Sequence, residues 1–132
     1  MKRILGEVSK SVADYWDIKQ YENKKIVLYP EIREHCKERH MTDYASVEDY
    51  YYVMDSLEEV VSSPDYVFYD KSKSGLEYYK NVRGNILIAV RVAKGAELKV
   101  RSVYPVSYEK IENRKKKEEQ MKLYNKYVIG VK

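Results

Sequence analysis

The stretch NILIAVRV, residues 85–92, does most to decide the fold of this 132-residue chain. Its apolar residues follow one another almost without interruption, which is typical of a central strand covered on both faces. A Lys-Gly pair at residues 94–95 then supplies a turn. The segment LKVRSVYP, residues 98–105, alternates apolar and polar residues and predicts a partner strand with one apolar and one cationic face. We therefore expect the two strands to form a hairpin.

The alternation in this second strand also predicts which side chains share a face. A regular strand places Ser102 and Tyr104 on the face that carries the apolar residues 98 and 100, where they form an unusual polar pair. Arg101 then points to the opposite face. It joins the pair only if the strand bulges or ends at that position.

Sequence signals on either side of the hairpin predict further strands and helices. Pro30 ends an apolar, β-branched run and suits the first turn of a helix. Ser46, followed by Asp49, is a variant of the helix-capping box, and Pro64 cannot continue the helix that Ser46 begins. We predict strands at residues 24–29, 66–69 and 76–80, helices at residues 30–40, 47–61 and 107–126, and a short helix within residues 1–23.

These elements predict an α+β fold, in which N-terminal helices pack on an antiparallel meander sheet of about four strands and a basic C-terminal helix follows. A chain of this length that is 44% hydrophobic can bury one core and is too short for two. We therefore expect a single domain over residues 1–132. Residues 107–132 are either a basic helix of that domain or a tail.

Composition and motifs exclude several classes of protein. One cysteine and two histidines rule out an internal disulfide and leave little for a metal site. No apolar stretch approaches the roughly 18 residues of a membrane span. The motifs of P-loop hydrolases, zinc peptidases and serine hydrolases are absent. We expect a cytoplasmic protein with no membrane partner and no metal or other cofactor.

The net charge of +4 conceals a strong asymmetry along the chain. Residues 1–70 contain nine Lys and Arg against 15 Asp and Glu, whereas residues 71–132 contain 16 against six, so the halves carry −6 and +10. The sequence also has 15 tyrosines. A basic half with interspersed aromatic rings suits a polyanion such as RNA, because phosphates attract cations and unpaired bases stack on rings. The alternative is that the two halves attract each other within the fold.

The two histidines are candidates for acid–base chemistry, since imidazole titrates near neutral pH. On a helix, His35 and His40 point about 140° apart, so they do not easily share one site. His40 ends the predicted helix and is either a general acid or base or a cation that interacts with the helix dipole. His35 is either a half-buried helix residue or a functional one, whereas Cys36 is interpreted as a core residue.

Four segments together resemble a known family. They are HCKERH (residues 35–40), the helix end SPD (residues 63–65), the tract from Tyr79 to Arg83 before an apolar strand, and VRSVYP (residues 100–105). Their order is similar to that in the phage-associated nucleases of the barnase, EndoU, colicin tRNase and RelE superfamily, over about residues 26–105. The sequence has Cys36 where an aliphatic residue is usual in this family, and Ser102 where Thr is usual.

The resemblance implies a ribonuclease of the toxin or phage-effector type that cleaves RNA without a metal ion. The attacking group is the ribose 2′-hydroxyl, which needs a proton acceptor, a proton donor and cations beside the phosphorus. It also implies residue roles. His40, or His35 in its place, is the acid or base; Lys80 or Arg83, and also Arg101, stabilise charge; and Ser102 and Tyr104 orient the phosphate. We also expect Arg91, Lys99, Arg101 and Tyr79 to contact RNA.

The alternative hypothesis is a non-catalytic module whose basic half binds nucleic acid or an acidic partner protein such as an antitoxin. A nuclease requires His40, Lys80, Arg83 and Ser102 to converge within a few ångströms, whereas a binding module requires only a broad basic surface.

Overall fold

The computed structural model describes residues 1–117 and 122–123 of the chain. Within this part, seven strands form one sheet and five α-helices accompany it. The strands are β1 (Arg3–Glu7), β2 (Lys25–Leu28), β3 (Tyr66–Asp70), β4 (Gly75–Asn81), β5 (Asn85–Arg91), β6 (Glu97–Pro105) and β7 (Lys122–Leu123), and the helices are α1 (Lys10–Trp16), α2 (Pro30–His40), α3 (Val47–Asp55), α4 (Leu57–Ser62) and α5 (Tyr108–Lys117).

The sheet has the strand order β1-β2-β6-β5-β4-β3-β7. Strands β3 to β6 pair antiparallel with their neighbours, which confirms the predicted meander and the α+β class. The sheet extends further than the meander because β2 adds to β6 in parallel and β1 pairs antiparallel with β2. In the described chain no helix has the length and apolar character to cross a membrane.

The prediction of only a short helix within residues 1–23 is wrong for the first residues. Helix α1 is present, and Ser9 caps it by accepting a hydrogen bond from the Val12 amide at 3.1 Å. Residues Arg3–Glu7, however, form strand β1. The sequence signal is weak because Leu5 is the only fully buried residue of this edge strand. The strand is defined by its pairing with β2 and not by its own periodicity.

Two further boundaries differ from the sequence prediction. The helix predicted over residues 47–61 is interrupted at Ser56, whose hydroxyl donates to the Tyr52 carbonyl at 2.8 Å and separates α3 from α4. The helix predicted over residues 107–126 is wrong at residues 122–123, which pair with β3 as β7. The remainder of that prediction beyond Lys117 lies outside the described residues.

Side chains of the sheet alternate between two buried clusters. Ile86, Ile88 and Val90 of β5 belong to the larger cluster, which also contains residues of α1, α2, α3 and α4. We call this side the helical face. Leu87 belongs to the smaller cluster with Ile111 of α5, and we call that side the α5 face. Strand β5 is therefore covered on both faces, as predicted.

Substitution of Gly6 by alanine is expected to lower the free energy of unfolding by about 1–3 kcal/mol. Gly6 has φ +157° beside an irregularity in the β1–β2 pairing, and an added Cβ would approach Val61 Cγ1 to 3.0 Å. Gly75→Ala is the control, because an added Cβ there finds no atom closer than 3.6 Å. Urea unfolding of the two variants measures the difference. Equal stabilities would contradict this account of Gly6.

Candidate active site

Strand β6 carries a bulge at Arg101. Val90 of β5 pairs with Val100, but the preceding Ala89 pairs with Ser102, so Arg101 is an extra residue. The bulge corrects the prediction that Ser102 and Tyr104 share a face with residues 98 and 100. Those apolar residues and Val103 pack in the helical-face cluster, whereas Tyr104 packs in the α5-face cluster. Ser102, two residues before Tyr104, projects on the same side.

Helix α2 lies along the free edge of β6. The pairing of β2 with β6 ends at Lys99, and α2 follows β2 directly in the chain. Cys36 of α2 is fully buried, and its sulfur accepts a hydrogen bond from the Val103 amide at 3.3 Å. The same sulfur lies 4.0 Å from Ser102 Oγ. Burial raises the pKa of the Cys36 thiol, which suits a core residue and not a nucleophile.

His40, at the end of α2, is held by two contacts. Its ring stacks on that of Tyr104, with centroids 5.1 Å apart and planes inclined by 25°. Its Nδ1 lies 2.9 Å from Asp43 Oδ2. An Nδ1–H that donates to this carboxylate leaves Nε2 as the nitrogen available for proton transfer. Sequence reasoning missed Asp43, although an acid three residues beyond a candidate histidine was the available signal.

Tyr104 is also contacted from α5, which sequence reasoning did not connect with the site. Lys110 Nζ lies 3.5 Å from the Tyr104 hydroxyl and 5.2 Å from the ring centroid. The tyrosine therefore contacts both an imidazole and an ammonium group. The site joins α2 to β6 and α5, which follow each other in the chain but are distant from α2 in the sequence.

Three cations extend the site along the sheet. Arg91 and Lys99 are directly paired across β5 and β6, and together with Arg101 they line a cavity of about 500 Å³. All three are exposed, and none has a carboxylate within 4.0 Å among the residues that the structure describes. Their charge is therefore available to an anion from solution.

The structure does not bring Lys80 and Arg83 to this site. Lys80 Nζ donates to the Ser63 carbonyl at 2.7 Å and lies on the helical face, since the preceding Tyr79 belongs to the α5-face cluster. Arg83 pairs with Asp49 at 3.1 Å and covers the ring of Tyr52 at 4.0 Å. Both cations hold the β4–β5 end of the sheet to the α3–α4 region.

Two other predicted site residues are also placed apart from the cluster. Tyr79 is fully buried and donates from its hydroxyl to Glu77 at 2.7 Å, so its ring offers no surface for stacking on a base. Burial, and then the Glu77 carboxylate, raise the pKa of Tyr79. His35 is exposed on α2, one residue before the buried Cys36. It shares no contact with His40 in the described structure.

Arg114, one of the basic residues of α5, is neutralised within the fold. Arg114 lies 3.1 Å from Asp70 and 3.2 Å from Glu77, and it covers the ring of Phe68 at 3.9 Å. The hydroxyl of Ser72 and then Arg114 lower the pKa of Asp70. These contacts fasten α5 to the sheet. Lys110, by contrast, extends from α5 toward Tyr104.

The described residues contain no cluster of three or more His, Cys, Asp or Glu side chains suited to a metal ion. They do contain an oriented imidazole and unpaired cations on connected parts of one surface. Such groups are suited to proton transfer and to the charge that develops on a phosphate. Side chains of these kinds serve enzymes that cleave phosphodiester bonds.

Comparison with known families agrees with this class of enzyme. Residues 2–113 match the family described as phage-Barnase-EndoU-ColicinE5/D-RelE like nuclease3, and the chain belongs to this nuclease family. The match begins before and ends after the segment 26–105 that carries the sequence resemblance, and it includes β1, α1 and part of α5. No curated protein and no solved structure gives a significant match.

Proposed function

We propose that the protein is a metal-independent endoribonuclease in which the ribose 2′-hydroxyl attacks the adjacent phosphorus. The observation that carries this proposal is the position of His40, which Asp43 orients and which stacks on Tyr104 near the end of β6. The same strand presents Lys99 and Arg101 without a described carboxylate partner. Proton transfer and charge stabilisation are thus available from side chains alone.

In the proposed reaction, His40 Nε2 accepts the proton of the 2′-hydroxyl as the new bond from that oxygen to phosphorus forms. The bond from phosphorus to the 5′-oxygen breaks, and the leaving oxygen takes a proton from Tyr104, beside which Lys110 lies. Arg101 stabilises the charge on the non-bridging oxygens, and Ser102 orients the phosphate. The products are a 2′,3′-cyclic phosphate and a 5′-hydroxyl.

The test is incubation of the purified protein with total RNA and with defined oligonucleotides in excess EDTA. We expect the RNA to be cut and to end in 2′,3′-cyclic phosphate, because the nucleophile belongs to the substrate. The same oligonucleotide with 2′-deoxy sugars is the control and should stay intact. RNA that stays intact at high protein concentration, yet binds with a steep salt dependence, would instead indicate the non-catalytic module.

A further inference from the structure

We propose that the cavity between the start of α2 and strands β5 and β6 is a nucleotide subsite that prefers bases with an exocyclic amino group. This inference rests on the proposed function, because the nucleotide in the cavity is the neighbour of the cleaved nucleotide in the same RNA strand. It assigns a role to Tyr29, Glu31 and Ile32, which sequence reasoning did not connect with the site.

The cavity has the size and lining of a small-ligand site. Its volume of about 500 Å³ falls within the range of about 300–1,000 Å³ that is usual for such sites. One wall comes from α2 and the residue before it, and the other comes from the sheet. The lining residues are Tyr29, Glu31, Ile32, Arg91, Lys99, Val100 and Arg101.

The sheet wall provides the charge that a phosphate requires. Arg91, Lys99 and Arg101 line this wall without a described carboxylate within ion-pair distance. Beside Lys99, the Tyr29 hydroxyl donates to Glu97, which fixes the aromatic ring, and Lys99 Nζ lies 5.3 Å from the ring centroid. A phosphate at the cations would therefore have an aromatic wall beside it for the attached sugar and base.

Glu31 supplies the selectivity. It is an exposed residue in the first turn of α2, and no described cation lies within 4.0 Å of its carboxylate, although three cations line the same cavity. An ionised carboxylate accepts hydrogen bonds and donates none. It therefore favours adenine, cytosine and guanine, whose amino groups can donate to it, over uracil, whose edge donor N3–H lies between two carbonyl oxygens that a carboxylate repels.

The course of α2 connects this cavity with the catalytic histidine. Ile32 lines the cavity, Cys36 contacts Val103, and His40 stacks on Tyr104, so the helix follows β6 from the cavity to the proposed scissile position. Eight residues of α-helix span about 12 Å. A nucleotide adjacent to the cleaved bond can therefore reach the cavity.

The test is to titrate the protein with each of the four ribonucleoside 5′-monophosphates and to measure binding from the changes in its amide NMR chemical shifts. We expect UMP to bind at least about fivefold more weakly than AMP, CMP and GMP, as for a single hydrogen-bonded base edge. Glu31→Gln, whose amide both donates and accepts, should reduce this ratio to less than about twofold. Glu34→Gln is the matched control, since Glu34 is exposed on the same helix and does not line the cavity.

Arg91→Ala separates phosphate binding from base selection. It should weaken the binding of all four nucleotides by about tenfold and leave their ratio unchanged. Equal binding of UMP and the amino-bearing nucleotides, or an unchanged ratio in Glu31→Gln, would overturn the proposal. These titrations do not depend on catalysis. A protein that selects nucleotides in this way and leaves RNA intact would retain the subsite and refute only the proposed function.

Discussion

His40→Ala is expected to slow RNA cleavage by about 10²–10⁴-fold, the usual contribution of a positioned acid or base. The substitution removes the imidazole that Asp43 and Tyr104 hold in place. The measurement is the single-turnover rate on a defined RNA oligonucleotide in EDTA with enzyme in excess. His35→Ala is the matched control, because His35 is exposed on the same helix. It should keep its rate within about twofold of wild type.

Two further measurements make this result specific to proton transfer. Asp43→Asn should have an intermediate effect, because the carboxylate only orients the ring and fixes which nitrogen is free. The affinity of His40→Ala for a 2′-deoxy oligonucleotide should stay close to wild type, since the cations that bind phosphate remain. Retention of at least a tenth of the wild-type rate in His40→Ala, or a large loss in His35→Ala, would contradict the assignment.

Phe68→Ala is expected to cost about 3–5 kcal/mol of the free energy of unfolding, as for truncation of a buried aromatic residue. Phe68 is 1% exposed and forms the α5-face cluster with Tyr79, Leu87 and Ile111. Its ring lies 3.9 Å from the guanidinium carbon of Arg114 and meets Trp16 edge to face at 5.6 Å. Truncation therefore removes the apolar contact between α5 and the sheet. It also removes the aromatic ring that the Arg114 guanidinium covers.

Urea unfolding followed by Trp16 fluorescence measures this cost, since the indole contacts the substituted residue. Phe68→Leu is the control and should cost less than about 1.5 kcal/mol, because it keeps most of the apolar volume. A cost below about 1 kcal/mol for the alanine variant would show that the α5-face cluster contributes little to the fold. We also expect slower cleavage in Phe68→Ala, because α5 carries Lys110 to Tyr104.

The parts of the fold that follow from local patterns were predictable. The apolar run of β5, the Ser46 cap and the proline at the start of α2 each act through neighbouring residues, and the structure contains the elements they predict. Strand β1 was not predictable in this way, because its pairing with β2 defines it. The same holds for the bulge at Arg101, which depends on how β6 meets β5.

In the candidate site, too, some residues were predictable from the sequence and others depend on tertiary contacts. The order of motifs pointed to His40, Ser102 and Tyr104, and the structure places His40 and Tyr104 in contact. The motifs also pointed to Lys80 and Arg83, but these cations are held by a carbonyl and a carboxylate that the chain brings near them. A charge pattern along the sequence does not reveal which cations have partners in the fold. Tertiary pairing decides which of them remain available.

The bulge in β6 bears on how the polar surface formed by Ser102 and Tyr104 can arise. Before Arg101 the even-numbered residues of the strand face the interior, and after it the odd-numbered residues do. Deleting one residue there would turn Ser102 and Tyr104 toward the helical core or force the earlier apolar residues outward. A change of one residue in chain length, without any change in side-chain chemistry, would thus be enough to create or abolish the polar surface during evolution.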